Sequence, residues 1–233
     1  SNIGSSVGYA EALDPSSRAA SHRYNLDYTY TLKELAPDLD VDSRVSYYSN
    51  TQEITKNIAL FPAGAFGGAY PNGFIGNPGY KEENARLDFS ALYRGTDNHL
   101  VRVGTGFYWD DVFEVTESKN FNADFSPRAN GLEDVSDTAE IWLPGKQRTN
   151  YYLFVQDEWK LAKNWLATTG IRYDHFSDFG NTTNPRLALV WATTDNITTK
   201  LLYGKAFRAP SFNELFVTTN PIVLGDPNLK AET

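Results

Sequence analysis

The chain has 233 residues, a formal net charge of −8, 14 Tyr, 14 Phe and 5 Trp, and neither Cys nor Met. That length suits one sizeable domain, the missing cysteines exclude disulfide scaffolds and thiolate metal sites, and the negative charge excludes a broad basic surface for nucleic acid. No apolar run approaches the about 18 residues of a membrane-spanning helix, so the one route into a membrane is a β-barrel, whose strands look polar to a hydropathy scan.

The dominant period is two. Tyr24, Leu26, Tyr28, Tyr30 and Leu32 alternate with Arg23, Asn25, Asp27, Thr29 and Thr31. Leu39, Val41, Val45 and Tyr47 then oppose Asp40, Asp42, Arg44 and Ser46. In a third segment Ala85, Leu87, Phe89, Ala91 and Tyr93 oppose Arg86, Asp88, Ser90 and Arg94. In a fourth, Val101, Val103, Phe107, Trp109, Phe113 and Val115 oppose Arg102, Gly104, Gly106 and Asp110. Four more segments follow, at 151–161, 166–176, 186–192 and 197–207. The fifth departs from the pattern, because Asp157 shares a face with Leu153, Val155, Trp159 and Leu161. Segments of about nine or ten residues match a tilted strand crossing a bilayer.

The connections alternate in length. Those at 33–38, 95–99, 162–164 and 193–196 are short and carry the Pro, Gly, Asn or Asp of tight turns. Between them lie two long ones, 51–84 and 116–150, a moderate one, 177–184, and a last that begins at Arg208. Outer-membrane barrels sort their loops in this way, with short turns in the periplasm and long loops outside. A soluble β-sandwich has no such reason. Aromatic strand ends (Tyr24, Tyr93, Trp109, Trp159, Trp165, Trp191) fit interfacial girdles.

The long connections are compositionally unusual. Residues 61–80 read FPAGAFGGAYPNGFIGNPGY. Phe66, Tyr70 and Tyr80 are candidates for an aromatic surface over a pore mouth that stacks on a planar ligand. In 120–148, Arg128, Trp142, Lys146 and Arg148 are candidates for holding an anionic chelate. The competing reading of each residue is an ordinary solvated or packed loop position.

Other motifs fail for want of context. Asp178-Phe179-Gly180 lacks every other kinase element, and Gly104-Thr105-Gly106 lacks a third glycine and a helix. Asp38, Asp40 and Asp42 open like a calcium loop, but Ser43 and Ser49 stand where the glycine and closing acid belong. His22, His99 and His175 are scattered, and no catalytic constellation or metal site is evident.

The strings YGKAFRAPSFNELF (203–216) and GDPNLKAET (225–233) resemble the FRAP and NPNL boxes of TonB-dependent outer-membrane receptors. VQDEW, GIRYDHFSDFG and NPRLALVW upstream are similar to the same family's barrel strands, so the specific resemblance covers 151–233. It implies an all-β, antiparallel up-and-down transmembrane β-barrel in the bacterial outer membrane, with 1–233 a partial barrel domain of about eight or nine strands and the plug absent. It also implies a transport receptor without catalysis, binding outer-membrane lipid and, through an N-terminal region outside this chain, TonB. Nucleic acid is not an expected partner. The imported ligand is expected to be a ferric siderophore, iron arriving as a chelate with no resident cofactor. The box residues are Phe207, Arg208, Ala209, Pro210, Glu214, Asp226, Pro227, Asn228 and Leu229, with Arg208 and Glu214 either contacting ligand or tying the loop. Haem receptors of this family carry an axial histidine between the boxes, and 211–225 contains none. The competing reading is a soluble β-sandwich or adhesin-like module that binds glycans; a barrel enzyme ranks last.

Overall fold

Strict alternation gives every strand one apolar and one polar face, and tight turns force neighbouring strands to run antiparallel. The computed structural model, which describes residues 17–220 and 223–233, shows that arrangement. Its strands are β1 (Arg18–Ala36), β2 (Leu39–Lys56), β3 (Ala59–Phe61), β4 (Phe74–Thr96), β5 (His99–Lys119), β6 (Glu133–Asp134), β7 (Lys146–Ala162), β8 (Trp165–Phe176), β9 (Gly180–Thr194) and β10 (Ile197–Gly204). One short helix, α1 (Phe212–Phe216), follows. The sheet runs β1-β2-β4-β5-β7-β8-β9-β10, with β3 added to β4 and β6 to β5. Every pairing is antiparallel. Among the described residues the sheet is not closed: β1 pairs only with β2, and β10 only with β9.

The inner turns are Pro37-Asp38, Asp97-Asn98, Lys163-Asn164 and Asp195-Asn196. Each adjoins a register shift in its hairpin, at Leu32/Ala36, Tyr93/Thr96, Lys160/Ala162 and Ile197/Thr198. Such bulges add twist where the chain reverses.

Several strands outgrow the expected nine or ten residues: β4 has 23 and β5 has 21. The long connections therefore shrink to 57–73 and 120–145, and the expected moderate loop 177–184 is a tight hairpin around 177–179. The reason is physical. Residues 74–84 and 110–119 lose clean alternation because their side chains pack against loop residues, Phe74 with Phe121 and Val112 with Leu143 among them. Conversely, β10 ends at Gly204 rather than Phe207.

The sheet is inverted relative to a soluble domain. On β7, outward Leu153 is 63% exposed, while its inward neighbour Tyr152 is 5% exposed. The inward face carries a lattice of charges. Arg44 and Ser46 donate to Asp27, both at 2.6 Å. Arg172 donates to buried Asp174 at 2.7 and 2.8 Å and lies 3.7 Å over the Tyr152 ring. The Tyr152 hydroxyl donates to Asp88, which also pairs with Arg86. These pairs differ in hydration: the Asp27 carboxylate is half-buried, whereas Asp174 is buried and depends on its two bonds from Arg172.

Gly104 and Gly106 acquire a role here. They pair with Phe154 and Tyr152, whose rings lie across β5 within 2.7 Å of where a Cβ would stand. A side chain there displaces the rings. Gly106→Val in the full-length protein is expected to cost about 1–3 kcal/mol in urea unfolding, whereas the outward Val103→Ile should be near neutral. Equal behaviour of the two would contradict this packing.

Candidate functional site

The outer ends of the strands support a cap made from residues 57–73, 120–145, 205–220 and 223–233. It has two apolar nuclei. In one, Tyr70, Phe74 and Phe121 are buried, with Leu60 and Phe61 against them. Phe74 stacks on Phe121 at 3.9 Å, and the Tyr70 hydroxyl donates to the Phe125 carbonyl at 2.8 Å. In the other, Val112, Leu143 and Val217 are buried, with Tyr80, Trp142, Phe212 and Phe216 packed around them. The aromatic loop thus folds mainly on itself, because rings that pack together leave less apolar surface in water.

Buried polar groups cross-link the cap segments. Lys119 is 1% exposed; its ammonium meets Glu117, the carbonyl of Glu140 and, at 3.3 Å, the hydroxyl of Thr219. Glu117 accepts the Trp142 backbone N–H at 2.8 Å, and Thr219 donates to Glu140 at 2.6 Å. Burial pushes the Glu117 carboxyl up and the Lys119 ammonium down from their ordinary ranges, against their mutual attraction.

The expected arginines are all engaged. Arg128 donates to the Phe121 carbonyl at 2.9 Å, to Glu133 at 3.1 Å and to Glu140. Arg148 is buried, donating to Asp178 at 2.7 Å and to the Pro210 carbonyl at 2.8 Å, with Phe179 and Phe212 over its guanidinium. Lys146 lies 4.6 Å over the Phe216 ring. Trp142 packs with its indole Nε1 shielded and without an acceptor among the described residues. Asp178 of the kinase-like tripeptide is therefore an anchor for Arg148.

The box strings form one knot. Phe207 meets Phe176 edge-on at 5.8 Å. Arg208 donates two parallel bonds of 2.9 Å to Glu214 and two of 3.0 and 2.8 Å to Glu232. Its backbone exchanges both hydrogen bonds with Glu232. Ala209 leads into buried Pro210, and Ser211 caps α1 in a reciprocal capping box with Glu214. Gly225 passes so close to the 215–217 backbone that a Cβ would stand 2.6 Å from it. Asp226 donates its N–H to the Glu214 carbonyl at 2.8 Å and, across Pro227, accepts from the Asn228 N–H at 2.9 Å, with Leu229 closing the turn at 3.2 Å.

The cap leaves exposed two aromatic rings and several aliphatic side chains, Leu132, Val223, Leu224 and Leu229. Phe66 and Phe125 are exposed and stacked at 6.4 Å, and both occupy the left-handed region, with φ of 55° and 65°. That conformation is costly for a bulky side chain and marks positions where structure overrides preference. Against the second nucleus a groove is lined by Tyr80, Glu82, Val112, Leu143 and Phe212. The sequence missed Phe125 because its neighbours are charged and polar. It missed Lys119 because nothing local shows that it is buried. No group of His, Asp and Glu able to hold a metal ion occurs among the described residues.

Arg208 holds the Glu214 carboxyl down to about 2 from its ordinary 4.5. A lowered acid contributes stability above its ordinary value and loses it as pH falls through the folded value. Protection of the Ser211–Phe216 amides, corrected for intrinsic exchange, is therefore expected to be full above about pH 4.5 and to decline towards about pH 2. Glu214→Gln should make it low and pH-independent, and Arg208→Lys should not restore the fork. A wild-type profile flat down to pH 2 would exclude this anchoring.

Residues 2–233 match the family described as TonB dependent receptor-like, beta-barrel. The "Iron-regulated outer membrane virulence protein" of Vibrio cholerae is 34% identical over 90 residues, 36% of this chain and 14% of that protein. The "Ferrienterobactin receptor" of Escherichia coli is 27% identical over 142 residues, 61% of this chain and 17% of that protein. The chain thus spans a small part of these relatives' length. Among solved structures, the "Copper transporter OprC" superposes with a TM-score of 0.64 at 16% identity, covering 86% of this chain and 32% of that one. At that identity the likeness is one of fold.

Proposed function

This chain belongs to the TonB-dependent receptor β-barrel family of the outer membrane, and from that premise we propose that its receptor captures and imports a ferric siderophore. Capture occurs on the outer cap. Passage is driven by TonB acting on the receptor's N-terminal region. The observation that carries the ligand class is the stacked, exposed Phe66 and Phe125 pair, held in left-handed backbone on a cap whose other described aromatic rings are at least partly buried. Planar catecholate rings stack on such a platform. The names of the Escherichia coli relative and of the "Ferric enterobactin receptor" of Pseudomonas aeruginosa favour the same ligand class. The absence of histidine from 211–225 disfavours axial haem binding there.

In this reading Phe66, Phe125 and Tyr80 meet the chelate. Arg128, Trp142, Arg148, Arg208 and Glu214 set the shape of the cap, and Tyr70 supports Phe66 from below at 5.7 Å. The arginines already face carboxylates, so the cap offers an anionic chelate rings more than unpaired cations.

Binding of a ferric catecholate to the full receptor tests this. Phe66→Ala with Phe125→Ala is expected to weaken it about tenfold, two ring contacts at roughly 0.5–1.5 kcal/mol each, with surface level unchanged. Unchanged affinity, or haem bound more tightly than the chelate, would refute the assignment.

A further inference from the structure

The outward face of β7 bears one residue that its surroundings do not explain. Asp157 stands in the lipid-facing row with Leu153, Val155 and Trp159. Its position is one outward step from Trp159, towards the bilayer interior from the Lys163-Asn164 turn. A carboxylate on such a surface needs compensation. The structure supplies little. Nδ1 of His99 lies 2.7 Å from Asp157 Oδ2, and the His99 ring stacks on Trp159 at 5.2 Å. Oδ1 is shielded and has no donor among the described residues. One imidazole N–H is thus the only partner shown for this carboxylate, whose side chain remains 25% exposed.

A groove leads away from it. It has a volume of about 490 Å³ and is lined by Val155, Ile171, Pro185, Leu187 and Tyr203 together with Asp157 itself. Val155 and Ile171 lie farther from the inner turn than Asp157 and its cross-strand partner Thr169. The acid therefore sits at the periplasmic edge of a mainly apolar groove, with Leu187 and Tyr203 level with it, Val155, Ile171 and Pro185 one step deeper, and Arg186 also in the lining. A headgroup at one end and hydrocarbon along the other is the polarity of an inner-leaflet phospholipid.

We propose that this groove binds a phospholipid with a primary ammonium headgroup, phosphatidylethanolamine, whose ammonium donates to Asp157 Oδ2 beside His99 while one acyl chain lies along Val155, Ile171 and Leu187. The ammonium supplies the charge that the single histidine contact leaves uncompensated. Trp159 flanks the headgroup at interfacial depth, where indoles are favoured. The site is independent of what the receptor imports.

The test is native mass spectrometry of the full receptor, exchanged into equal mixtures of phosphatidylethanolamine and phosphatidylglycerol. Retention of the ammonium lipid is expected to exceed that of the glycerol lipid about tenfold, as for one charge-assisted hydrogen bond. Asp157→Asn should remove the preference. Leu187→Trp, an apolar change that fills the groove and leaves the Asp157–His99 contact in place, should lower retention of both lipids. It keeps the test decisive if the first variant fails to assemble. Equal retention of the two lipids by the unaltered receptor would overturn the proposal. So would a preference that survives both substitutions, or a basic polypeptide occupying the patch instead of lipid.

Discussion

Pairing of the backbone with itself is the constraint on which this structure depends. In a bilayer no water reaches an unpaired N–H or C=O, so each strand must be satisfied by its neighbours. The ladder from β1 to β10 does this continuously, and the bulged two-residue turns return the chain without breaking it. Once the ladder is fixed, the two faces are free to differ completely. Leu153 and Leu201 stand exposed to the outside, and Asp174 is buried on the inside under Arg172. The same contrast in a soluble protein would be an aggregation surface.

Outside the membrane the logic reverts to that of a globular protein. The cap has buried aromatic nuclei, a capped helix and buried ion pairs. Its charged groups act as pins: Arg148 ties β7 to the 177–179 turn and to Pro210, and Lys119 ties β5 to the 120–145 and 205–220 segments. A rigid cap presents its few exposed rings in fixed positions, which lowers the ordering cost of binding. Phe66 and Phe125 are such rings, and their left-handed backbone is tolerable because the packed loop beneath leaves no alternative.

Strand order, turn positions and the division into inner and outer faces were all legible, because each follows from period two and from local turn chemistry. The 211–214 capping box is local, Ser211 and Glu214 lying three positions apart, but it emerged with the structure. Strand ends were less legible. The extensions of β4 and β5 beyond the bilayer carry mixed residues, since their faces meet other loops rather than lipid or water alone. The expected long loops were partly strand for that reason.

The sequence by itself determined a membrane-crossing antiparallel sheet, since alternation fixes which side chains face lipid. It also determined the box strings, of which only the Arg208–Glu214 and Ser211–Glu214 contacts are local, while Arg208 reaches Glu232 across 24 positions. Only the tertiary structure decided what the loop residues do. Arg128, Arg148 and Tyr70 looked like ligand contacts in the sequence; the fold engages Arg128 within its own loop and Arg148 and Tyr70 with segments 62 and 55 positions away. Asp157 was the reverse case, an irregularity in the alternation whose meaning depends on His99, 58 residues away. Pairings at such separations leave no local pattern, because they are set by where the sheet brings the strands and not by the chain between them.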